Sequence, residues 1–115
     1  MKRQQFGPLR EITMMSAEEL ERRLADERIV PLAVNEWDLL AGEFEEVARH
    51  HTMVAGDLLV VRTRAGLAAV ERPTPDVRVV RLLGDAATAQ SFVEHRMAQY
   101  ERMWDGCGCR VDYYA

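Results

Sequence analysis

The chain has 115 residues, 48% of them hydrophobic and 30% charged, with a net charge of −4. That is the composition of one folded domain with a single core's worth of apolar material, which excludes a disordered chain. No apolar run approaches the length that a transmembrane helix needs, and no basic stripe offers an electrostatic footprint for nucleic acid. Residues 1–57 carry 7 basic and 12 acidic groups, and residues 58–115 carry 8 and 7. All basic residues but Lys2 are scattered arginines, which suits ion pairs and protected strand edges better than phosphate tracking.

Residues 1–8 read as a loose arm ending at Gly7-Pro8. Two positive charges at Lys2 and Arg3 are not followed by an apolar segment, so the start does not resemble a signal peptide and the expected location is the cytoplasm. Leu9 to Met15 is a candidate strand. Ser16-Ala17-Glu18-Glu19 is a capping-box sequence and predicts a helix over Ala17 to Glu27, with Leu20 and Leu24 on its apolar face. Arg28 to Val34 is β-branched and apolar, but Pro31 cannot donate to a ladder, so this is an edge strand or extended connector.

Asn35 is a candidate N-cap for a second helix, Glu36 to about His51. Trp37, Leu40, Ala41, Phe44, Ala48 and His51 recur at helical spacing. Then come three short strand-like runs, Leu58 to Thr63, Leu67 to Arg72 and Val77 to Leu83. Gaps of three and four residues bearing Gly or Pro predict antiparallel hairpins, because a parallel crossover needs more chain. Gly84-Asp85 opens a last helix, Ala86 to Trp104, with an apolar stripe at Ala89, Phe92, Val93, Met97, Tyr100 and Trp104. Gly106 is its expected left-handed terminator. The fold class is therefore α+β: one domain, 1–115, with an antiparallel meander of three to five strands packed on two or three helices. Trp37, Phe44, Val60, Val79, Phe92, Val93 and Tyr100 are expected to share one core.

The segment richest in chemistry is the tail, residues 107–115. Cys107-Gly108-Cys109 holds the only cysteines. Two thiolates separated by glycine can chelate zinc or another thiophilic metal, or cycle as a redox dithiol. A helix end is electronegative, and Asp105 adds to that, so a cation is favoured there over a free thiolate. A Cys-x-Cys pair supplies half of a tetrahedral site, and His50 or His51, or a second subunit's pair, would complete it. The plainer alternative is two small buried residues in a turn. On the predicted second helix Glu43, Glu46 and His50 share a face, either as divalent-ion ligands or as a solvated acidic surface. His95 falls on the flank of the last helix, as a surface residue.

Trp104, Tyr113 and Tyr114 give the C-terminus an aromatic character unusual for a chain end. They either fold back on the sheet or anchor a protein partner or a homodimer. No nucleophile elbow, zinc-protease helix, P-loop or dinucleotide fingerprint occurs, and no catalytic residue stands out. Two functions are expected: a small metal- or thiol-handling protein using Cys107 and Cys109, or a non-enzymatic interaction subunit using the aromatic tail and the acidic helix.

Overall fold

The computed structural model describes residues 15–106. The chain runs α1 (Ala17–Glu27), β1 (Ile29–Ala33), α2 (Val34–Leu40), a 3₁₀ turn (Ala41–Glu43), β2 (Glu45–Thr52), β3 (Gly56–Thr63), β4 (Gly66–Thr74), β5 (Val77–Gly84) and α3 (Ala86–Gly106). The five strands form one antiparallel sheet in the order β1-β5-β4-β3-β2. The α+β meander is thus observed, with β1 returning along the free side of β5. The arm 1–8, most of the expected Leu9–Met15 strand, and the tail 107–115 lie outside the described residues.

α1 starts where Ser16 accepts the Glu19 amide at 3.1 Å, and it stops at Arg28, whose φ of 71° turns the chain into β1. Among the described residues β1 pairs only with β5, its Pro31 opposite Val79, which is the edge position that a missing N–H permits. The turn from β2 to β3 and that from β3 to β4 use the same device. Thr52 and Thr63 donate their hydroxyls to the carbonyls of Gly56 and Gly66, at 2.6 and 2.7 Å.

Alternation along the strands splits the apolar residues into two cores, one on each face of the sheet. On the first face Leu20, Leu24, Trp37 and Leu40 from α1 and α2 cover Val30, Val61, Ala68, Val70 and Val80. On the second face Ala89 and the half-buried Phe92, Val93 and Met97 of α3 cover Leu58, Val60, Leu67, Ala69 and Leu83. The single shared core is corrected accordingly. Trp37 and Phe44 belong to the first face, while Val60, Phe92 and Val93 belong to the second.

The largest correction is the second helix. It ends at Leu40 instead of His51, and Glu45–Thr52 is a strand. Gly42 weakens a helix at that point, and without β2 the strongly apolar β3 would be left as a bare edge. Tertiary pairing therefore overrides the helical spacing. Trp37 and Phe44 still meet, stacked with centroids 6.1 Å apart, because the chain turns back between them.

Candidate functional site

β2 places His50 and His51 on opposite faces of the sheet, as successive strand residues must be. His50 faces α3, beside Ala86, Gln90 and Glu94. His51 faces the other way, with Nδ1 3.0 Å from Asp57 Oδ1. Glu43, Glu46 and His50 share no helical face, since the helix is absent there; Glu43 sits in the 3₁₀ turn and Glu46 is engaged by Arg49. Among the described residues no three His, Cys, Asp or Glu side chains gather as a metal site. His95 is exposed on α3, as expected. Trp104 is half-buried near the end of α3. Cys107, Cys109, Tyr113 and Tyr114 lie outside the described residues.

The site that the fold does assemble is on the first face, where α1 and α2 leave part of the sheet uncovered. The register aligns Arg49, Leu59, Val70 and Val80 across four strands. One step further along lie Asp57, Arg72 and Arg78, the last of these opposite Leu32 of β1. Trp37 closes one side. The result is a cleft of about 390 Å³ lined by Trp37, Arg49, Gly56, Asp57, Leu59, Val70, Arg72 and Arg78. Its floor is apolar and its rim carries three guanidiniums against one carboxylate.

The three arginines are not equivalent. Arg49 is held by Asp57 at 2.7 Å and by both oxygens of Glu46 at 2.7 and 3.1 Å. His51 and then Arg49 hydrogen-bond the Asp57 carboxylate and depress its pKa below the usual carboxylate range. Arg78 spends one nitrogen on the carbonyls of Thr74, Pro75 and Val77, and meets no carboxylate among the described residues. Arg72 makes no hydrogen bond or ion pair among the described residues, although it is half-buried. Its side chain lies over Gly56, where an added Cβ would come within 2.7 Å of Nη1. Gly56, at φ 69°, therefore both makes the turn and leaves the surface on which Arg72 rests.

Sequence reasoning treated these arginines as scattered, and no spacing signal pointed to them. The turn pairs Thr74 with Val77, and only the register shift between Glu71 and Thr74 brings Arg72 and Arg78 to one side of the sheet. Arg49 was hidden because β2 was read as helix.

A second charged cluster lies on the opposite face. Glu71, buried to 7% exposure, receives Tyr100 Oη at 3.1 Å and Arg81 Nε at 3.4 Å. Arg96 Nε is 2.8 Å from the same carboxylate, but its N–H points off the oxygen, so this contact is an ion pair without a hydrogen bond. The Arg81 and Arg96 guanidiniums both lie over Phe92, 5.6 and 5.0 Å from its ring centre. Glu71 ties Arg81 of β5 to Arg96 and Tyr100 of α3, so the cluster reads as the clasp that fixes α3 to β4 and β5. The Arg72 cleft differs in holding a cation with no such use.

Compared with known proteins, the chain matches no family, no curated protein sequence and no solved structure. No helix among the described residues is long and apolar enough to cross a membrane.

Proposed function

We propose that this protein is a small binding module that captures an anionic group, phosphate or carboxylate, carried on a partly apolar molecule. The observation that carries this reading is Arg72, a half-buried guanidinium with no anion of its own among the described residues, in a cleft that already holds Arg49 and Arg78. Guanidinium presents a planar fork of donors that matches phosphate and carboxylate oxygens, and a low-dielectric floor strengthens such pairs. Leu59, Val70 and Trp37 supply that floor. A protein of net charge −4 gains nothing for solubility from clustering arginines there, so ligand capture is the function that fits. Calorimetry with phenyl phosphate, inorganic phosphate and phenol tests the reading. Phenyl phosphate should bind best, and Arg72→Ala should weaken it about tenfold, the lower end for a charge-assisted hydrogen bond. Equal heats for phenol and phenyl phosphate would refute it.

A second reading concerns the tail. Cys107 and Cys109 follow α3 directly and are proposed as soft-metal ligands, for zinc or another thiophilic ion, or as a redox pair. The orientation of His51 supports a metal role for that residue, since a carboxylate bonded to Nδ1 is the usual support of a ligating Nε2. His50 or His51, or the cysteine pair of a second chain, would complete the site. Zinc titration of reduced protein, with Cys107→Ser and Cys109→Ser as controls, decides it. Uptake lost in both variants supports the reading, and no uptake by the wild type ends it.

A further inference from the structure

We propose that β2 is a homodimer interface, along which two copies pair edge to edge and extend the sheet from five strands to ten. The two edges of the sheet are unlike. β1 is five residues long and carries Pro31, a residue that blunts an edge. β2 is eight residues long, has no proline, and has no neighbour beyond β3 among the described residues.

The charge order of β2 favours its own copy as the occupant. The strand begins with Glu45 and Glu46 and carries Arg49, His50 and His51 just before its last residue, Thr52. A two-fold axis through the sheet edge pairs two β2 strands antiparallel, so the acidic half of each faces the basic half of the other. With the axis between Val47 and Ala48, Glu46 stands opposite Arg49 of the second copy. The Glu46–Arg49 pair within each strand then widens into a network of four charges. A like-directed partner strand would instead set acid against acid.

Apolar surface gathers on the same side. Val47, Met53 and Val54 are 43%, 66% and 38% exposed, and they make up half of the large exposed apolar side chains among the described residues. Beside β2 runs a groove of about 340 Å³ floored by Val47, Ala48, Val60, Leu67, Ala89 and Val93. An axis perpendicular to the sheet keeps α3 of both copies on one face. The two grooves then adjoin and are closed by one another's walls. The register break at Glu46–Ala48 marks a bulge, and a bulged edge admits a partner with the matching bend, meaning a second copy, and discourages flat strands.

Sedimentation equilibrium tests this with wild-type protein and two charge variants. The wild type should approach twice the 13.1 kDa chain mass as concentration rises. Glu45→Arg with Glu46→Arg, and separately Arg49→Glu with His51→Glu, should each remain at the mass of one chain. An equimolar mixture of the two variants should recover the doubled mass, a result that misfolded variants could not give. A monomeric wild type overturns the proposal, and so do variants that dimerise as the wild type does. Protected β2 amides in a monomer would overturn it as well, placing another segment, such as this chain's residues 1–14, on the edge.

Discussion

Arg72 rests on Gly56: the guanidinium of one lies where a side chain on the other would be, with Nη1 2.7 Å from the site of an added Cβ. The contact joins a turn between β2 and β3 to a residue of β4, and it sets how the cleft presents Arg72, which makes no hydrogen bond or ion pair among the described residues. Gly56→Ala should therefore act twice. It strains a backbone at φ 69° and displaces Arg72. A loss of about 1 kcal/mol in stability together with weaker binding of phenyl phosphate is expected, measured by denaturant unfolding and calorimetry. A variant that loses stability yet binds as the wild type does would separate the glycine from the site.

Asp57 is the opposing charge in the cleft. Its carboxylate partly neutralises Arg49 and would repel an incoming anion. Asp57→Asn should strengthen phosphate binding by a few-fold, the modest gain expected for a charge in a solvent-exposed setting. Calorimetry at low and high salt checks this, and the gain should shrink as salt screens the site. Weaker binding in the variant would mean that Asp57 positions Arg49 more than it opposes the ligand.

On the other face, Tyr100 donates to buried Glu71, and its hydroxyl titrates at about 12, pushed up by burial first and by the Glu71 carboxylate second. The unfolded chain ionises its tyrosine near about 10. Between those values the unfolded state has released a proton that the folded state keeps, so stability falls as pH rises through that window and is fully present below it. With Tyr113→Phe and Tyr114→Phe leaving one tyrosine, ultraviolet titration should show the high midpoint. Glu71→Gln should lower it only in part, because burial remains.

The two cores should differ in what they tolerate. Leu24 is fully buried, and Leu24→Ala should cost about 3 kcal/mol, within the usual range for such cavities. Val93 is half-buried, and Val93→Ala should cost about 1 kcal/mol. Equal losses, read from denaturant midpoints, would contradict the difference in burial between Leu24 and Val93.

Local signals carried most of the fold. The Ser16 cap, the Pro31 edge and the turns around Gly66 and Pro75 each act over a few residues, so the elements they bound were legible in order. β2 was not, because Trp37, Leu40, Phe44 and Ala48 also fit a helix, and the choice is made by pairing with β3, a partner ten residues on. The cleft was obscured for the same reason. Its arginines come from three strands and converge only once the register of the sheet is set. The cysteine pair was legible as chemistry from its spacing alone, and the described residues do not include it.

The central claim, that the first-face cleft captures an anion through Arg72, is tested most directly by Trp37 fluorescence. In a Trp104→Phe background Trp37 is the sole tryptophan, and it lines the cleft. Titration with phenyl phosphate should change its emission with saturation. Arg72→Lys should retain weakened binding, since an ammonium keeps the charge without the fork, and Arg72→Ala should lose about tenfold or more. An emission unchanged by phenyl phosphate, or an identical curve in Arg72→Ala, would contradict the account.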